Sequence, residues 1–122
     1  MILVDTSIWI DHLRSNNSVL RSLLLNKQVL SHPFVIGEIA MGSLKDRFNL
    51  LAELRALPRL TIARDENVLA LVNDGALFGK GIGYIDAHLI ASLRLAPRAT
   101  LWTRDKRLQA LAASFVSISA PR

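Results

Sequence analysis

The chain has 122 residues, 51% of them hydrophobic and 20% charged, a size and mixture that suit one globular domain with a sizeable core rather than a disordered chain. Its net charge of +5, from 15 Lys and Arg against 10 Asp and Glu, is spread along the chain and is compatible with a polyanion partner or with plain solubility. The absence of cysteine excludes disulfides, thiolate metal sites and a Cys nucleophile; no apolar run is long enough to span a bilayer and none follows a basic leader, so a cytoplasmic location without membrane contact is expected.

The opening run Met1-Ile2-Leu3-Val4-Asp5 predicts a buried strand that ends on a carboxylate. Thr6 or Ser7 then caps a helix whose apolar positions Ile8, Trp9, Ile10 and Leu13 share a face. After the polar break Ser15-Asn16-Asn17-Ser18, the spacing of Val19, Leu20, Leu23 and Leu24 predicts a second helix ending near Asn26. Val29-Leu30-Ser31 reads as a short strand, and Pro33 opens a helix through Met41 that Gly42-Ser43 stops. Helical periodicity resumes from Asp46 to Leu57 and ends at Pro58, and Leu60-Thr61-Ile62 reads as another strand.

Asp65 is expected to cap a helix with Val68, Leu69, Leu71 and Val72, which leads to the glycine-rich loop Gly79-Lys80-Gly81-Ile82-Gly83. A helix with the stripe Ile85, Leu89, Ile90 and Leu93 follows, then a strand at Thr100-Leu101-Trp102, a helix from Lys106 to Ala113 and a last strand from Phe115 to Ile118. Short strands alternating with helices predict a single α/β domain over residues 1–122, with a mostly parallel sheet of about five short strands flanked by helices. Open parallel sheets hold ligands beyond the C-terminal ends of their strands, which is where Asp5 is expected.

Most of the acids, including Asp46, Glu53, Asp65, Glu66 and Asp74, stand among polar neighbours or at helix starts, and Asp11 reads as exposed on the first helix. Four differ. Asp5 ends an apolar strand, although turn chemistry before the Thr6-Ser7 cap would also explain it. Glu38 is the one ionisable side chain between Pro33 and Met41, where an unpaired carboxylate would be costly to bury. Asp86 borders the apolar stripe of its helix through Leu89 and Ile90. Asp105 follows a strand and either caps the Lys106 helix or turns toward a site.

Two acids at strand ends and two on apolar helix faces can meet on one side of a sheet. Gathered there, they would raise one another's pKa unless a cation sat among them. Mg²⁺ suits such oxygen donors, and Mn²⁺ fits the same shell. On a basic chain this predicts metal-assisted hydrolysis of a nucleic-acid phosphodiester.

The segments Leu3-Val4-Asp5-Thr6-Ser7-Ile8-Trp9-Ile10-Asp11-His12, Ile82-Gly83-Tyr84-Ile85-Asp86-Ala87-His88-Leu89-Ile90-Ala91 and Leu101-Trp102-Thr103-Arg104-Asp105 resemble PIN-domain nucleases, specifically VapC-type toxins of toxin–antitoxin pairs. The resemblance spans nearly the whole chain. It implies Asp5, Glu38, Asp86 and Asp105 as catalytic and metal-binding acids with Thr6 and Thr103 as supporting hydroxyls, RNA as the substrate, a cognate antitoxin as a partner, and a homodimer. The chain departs from the family pattern at Arg107, where many PIN domains carry a further acid.

His12, His32 and His88 lack zinc-binding spacing, and the glycine-rich loop lacks the Ser or Thr that follows Lys in a P-loop. Arg104, Lys106 and Arg107 would set positive charge around Asp105 to contact phosphates, with Lys80 as a backbone contact and Tyr84 as a stacking platform for a base. Trp9 and Trp102 read as core. Two alternatives remain at this point: a receiver- or phosphatase-like phosphate-handling domain, against which no second Asp follows Asp5 within two positions, and a non-catalytic basic domain that binds RNA or protein.

Overall fold

A computed structural model describes residues 1–122. In chain order the elements are β1 (Ile2–Val4), α1 (Thr6–Ser15), α2 (Ser18–Leu25), β2 (Val29–Leu30), α3 (Pro33–Ala40), α4 (Arg47–Ala56), α5 (Asp65–Asp74), α6 (Tyr84–Arg94), β3 (Thr100–Trp102), α7 (Lys106–Ala112) and β4 (Ser117–Ile118). The sheet has four strands in the order β2-β1-β3-β4, all parallel. β1 lies inside it, with Leu3 and Val4 fully buried, as expected of an apolar run covered on both faces.

The expected alternation of strands and helices is therefore observed, with one strand fewer. Leu60-Thr61-Ile62 does not form a ladder. Its approach to the sheet is a single parallel bridge between Ser31 and Arg59, where the Ser31 N–H donates to the Pro58 carbonyl and the Leu60 N–H to the Ser31 carbonyl. The next rung would need a Pro33 N–H that does not exist, α3 begins at Pro33, and Thr61 and Ile62 are exposed, so pairing does not extend. The last strand is shorter than expected, because Phe115 and Val116 lie outside β4.

The chain runs outward from β1 to β2 on one side and returns through β3 to β4 on the other. That reversal puts a switch point between β1 and β3. Pairing of Val4 with Trp102 brings the two C-terminal ends level, and the Asp5 N–H continues the ladder by donating to the Trp102 carbonyl at 3.0 Å. Ligands of open parallel sheets sit beyond the strand ends at such a point.

α6 is buried along the continuous run Ala87 to Leu93, more than the single stripe read from its sequence, which marks a central helix wrapped by its neighbours. α5 packs against it, and α1 packs on α3. No helix is long and apolar enough to cross a membrane.

Candidate active site

Asp5 occupies the N-cap position of α1, one residue ahead of the expected Thr6 or Ser7, yet its side chain caps nothing. Its Oδ2 instead accepts hydrogen bonds from Thr103 Oγ1 at 2.8 Å and Ser7 Oγ at 2.9 Å. Asp5 is 6% exposed, and a carboxylate so enclosed is tolerable because these hydroxyls replace water on one oxygen. Its Oδ1 accepts no hydrogen bond from the protein and is not sealed from solvent. Turn chemistry therefore does not account for this acid.

Glu38, on α3, differs from the expectation of a carboxylate set in apolar surface. It is exposed, and its Oε1 accepts a hydrogen bond from Thr6 Oγ1 at 2.8 Å, so the packing of α1 on α3 fixes its direction. Asp105 does cap α7: its Oδ1 accepts from the N–H groups of Arg107 and Leu108. The same residue donates its own N–H to Thr103 Oγ1, which links it through a single hydroxyl to Asp5.

Asp86 lies in the first turn of α6 and is partly buried. Desolvation, then the Asp5 charge, then the Asp105 and Glu38 charges lift its pKa from 3.8 to about 6, against a downward pull from the Gly83 backbone N–H. The charges of Asp5, Asp105 and Glu38 thus all act on Asp86. No group of three or more His, Asp or Glu side chains is close enough to hold an ion unaided. Repulsion among the acids opposes closer approach, and Mg²⁺ in any case retains water and substrate oxygens in its shell. The donor chemistry fits a hard divalent ion, as an open set of carboxylates rather than a closed cage.

Two features of the site were not read from the sequence. Ser7 Oγ, besides serving Asp5, accepts the Arg104 N–H at 3.0 Å and lies 3.4 Å from Thr103 Oγ1. Asp11, expected to be solvated, is half-buried and forms a 2.7 Å ion pair with Arg104 Nη1, while Asn17 Nδ2 donates to its other oxygen. The start of α1 and the β3–α7 loop are therefore joined by hydroxyls and by an ion pair. The i, i+4 placement of Asp11 after Ser7 was the one available signal, since it puts both on one side of α1.

The remaining expected contacts are distributed around this centre. Lys80, Lys106 and Arg107 are exposed, whereas Arg104 is engaged by Asp11. The Tyr84 hydroxyl donates to Asp65 Oδ1 at 3.1 Å, and its ring meets His88 edge-on, so it is tethered toward α5. The histidines have structural partners: His12 Nδ1 accepts the Asn17 N–H, and His32 Nδ1 accepts the Phe34 N–H while its Nε2 donates to Ser92 Oγ. Burial, with the nearby His88 and Arg59, pushes His32 down to about 4, so it is neutral at physiological pH.

The chain belongs to the PIN-domain family, whose profile matches residues 2–114. Among curated proteins it is 46% identical to Ribonuclease VapC32 of Mycobacterium tuberculosis, strains CDC 1551 and H37Rv, over 113 residues that cover 93% of this chain and 91% of that one. Among solved structures, FitAcB from Neisseria gonorrhoeae superposes with a TM-score of 0.64 at 21% identity, covering 98% of this chain and 97% of that one. FitAB bound to an IR36 DNA fragment gives 0.62 at 20% identity, covering 98% and 94%. At that identity the two structures speak for the fold. The VapC-type resemblance and the α/β class read from the sequence are both borne out.

Proposed function

We propose that this protein is a divalent-metal-dependent endoribonuclease that hydrolyses RNA phosphodiester bonds and acts in the cytoplasm as the toxin of a toxin–antitoxin pair. The observation that supports the chemistry is the action of the Asp5, Asp105 and Glu38 charges on Asp86 at the sheet's switch point, visible in the raised pKa of Asp86. The 46% identity to a ribonuclease over nearly the whole chain supports the substrate class and the toxin role. It also weighs against the receiver-like and non-catalytic alternatives.

Asp5, Glu38, Asp86 and Asp105 would hold Mg²⁺ or Mn²⁺. When bound, the ion polarises the phosphoryl group, acidifies the water that attacks it and offsets developing charge. The protein's part is orientation. Thr103 and Ser7 occupy one oxygen of Asp5, whose other oxygen would take the ion, and Thr6 anchors one oxygen of Glu38. Asp105 spends one oxygen on its helix cap and keeps the second free. Asp86 sits at a helix start, where the backbone dipole favours the ionised form that a ligand requires.

A cognate antitoxin and a second copy of the chain are the proposed protein partners. Met41, 87% exposed at the end of α3, and Phe48, 85% exposed on α4, offer apolar surface that a protein partner would cover.

The test is RNA cleavage by purified protein with Mg²⁺ or Mn²⁺, with EDTA, and with Asp5→Asn. Cleavage is expected only in the wild type with metal. Cleavage that persists in EDTA and in the Asn variant contradicts the mechanism, and a wild type inert on varied RNAs with either metal supports the non-catalytic RNA-binding reading. Growth arrest on expression, relieved by Asp5→Asn, tests the toxin role.

A further inference from the structure

The carboxylates of the site would repel the phosphates of an incoming RNA, a repulsion that a side-chain cation beside them would offset together with the metal ion, and the side chains near Asp105 offer three. Arg104 is spent on Asp11. Lys106 is the first residue of α7 and makes no ion pair. Arg107 also makes no ion pair, but it is positioned: its guanidinium lies over Gly81 in the loop ahead of α6, in space that a Cβ at residue 81 would take. Gly81 has φ +84°, a conformation that L side chains rarely adopt, so its backbone favours glycine, and a Cβ there would displace the Arg107 guanidinium.

The position of this contact gives it meaning. The Arg107 N–H donates to Asp105 Oδ1, so the side chain departs from the cap that holds one acid of the site. Its far end rests on the loop that leads into α6, the helix carrying Asp86. A guanidinium resting between the two acid-bearing segments is already close to where a phosphate would lie, and its planar fork matches two phosphate oxygens in a way an ammonium does not.

We infer that Arg107, seated on Gly81, is the RNA-phosphate clamp of the site. The inference rests on the RNA-cleaving reading above and adds to it the residue that holds the substrate backbone and the glycine that seats it. The contact is electrostatic and independent of base identity, so it acts on all RNAs alike.

The test uses the full chain and a fluorescently labelled single-stranded RNA. Binding is followed by anisotropy in EDTA over a range of salt concentrations, and cleavage with Mn²⁺ is measured in parallel. Arg107→Ala is expected to weaken binding about 5- to 20-fold and to reduce the slope of log K against log salt by about 0.7, the loss of one phosphate contact. Arg107→Lys should restore the slope and only part of the affinity. Gly81→Ala should weaken binding more in the wild-type background than in the Arg107→Ala background, because the part of its effect that passes through the displaced guanidinium is absent in the second while the backbone strain at residue 81 is common to both. Arg107 is exposed on a helix where alanine is well tolerated, so folding is preserved.

If the wild type cuts RNA while Arg107→Ala keeps both its salt slope and its affinity, the clamp is wrong and the nuclease reading stands. Fully independent losses from the two substitutions overturn the seating by Gly81. A wild type that neither binds nor cuts RNA overturns both the clamp and the reading beneath it.

Discussion

Replacing Asp86 with Asn should stabilise the metal-free protein, even though it removes a proposed ligand. The pKa of Asp86 is raised from 3.8 to about 6 in the folded state, so ionisation of this group works against folding. Below pH 3.8 the acid is protonated in both states and costs nothing. Between 3.8 and about 6 the unfolded chain ionises while the folded one resists, and stability falls as pH rises. Above that window the cost is constant, at about 3 kcal/mol, an upper bound because solvent partly screens the side chain.

Asn keeps the shape and an oxygen for the Gly83 N–H but carries no charge. Urea unfolding in EDTA should therefore show Asp86→Asn level with the wild type near pH 4 and ahead by up to about 3 kcal/mol at pH 7.5, roughly 1–3 M in midpoint for a domain of this size. RNA cleavage should be lost in the same variant, the trade of activity for stability expected where like charges are held together. An advantage independent of pH, or a loss of stability at pH 7.5, would refute the convergence of carboxylates on which the site is built.

Thr103→Val removes the hydroxyl that donates to Asp5 and accepts the Asp105 N–H, and should cost about 1–3 kcal/mol by urea titration. Cleavage should fall about 10- to 100-fold, and Thr103→Ser should recover most of it. Arg104→Ala should cost at most about 1 kcal/mol, because its 2.7 Å pair with Asp11 is partly solvated, and should leave the salt dependence of RNA binding unchanged. A slope reduced as much as that expected for Arg107→Ala would place Arg104 on the RNA as well.

The acids of the proposed site were legible because each stood out locally: Asp5 at the end of an apolar strand, Glu38 alone in an apolar helix, Asp86 beside a buried stripe. The helix-capping side of Asp105 was equally legible, since an acid just before a helix has few other local roles. What brings Asp5 and Asp105 together is the register of β1 on β3, a pairing between residues about a hundred positions apart that no local pattern encodes. The same register gives Ser7 its second partner, Arg104, and makes Thr103 a bridge between two acids. Glu38 illustrates the converse: its isolation among apolar residues suggested burial, whereas it is exposed and directed by Thr6 from another helix. The fifth strand failed because its partner chain turns into α3 at Pro33, which has no N–H for the next rung, a feature that strand propensity at Leu60-Thr61-Ile62 concealed.

Asp5, Glu38, Asp86 and Asp105 are proposed to form one divalent-cation site. Calorimetric titration of Mn²⁺ into wild type, Asp5→Asn and Asp86→Asn at pH 7.5 tests it without reference to activity. The account predicts saturable binding to the wild type that is lost or weakened at least about tenfold in each variant, because each removes a charged oxygen donor from the same set. Equal Mn²⁺ affinity in all three proteins would contradict it.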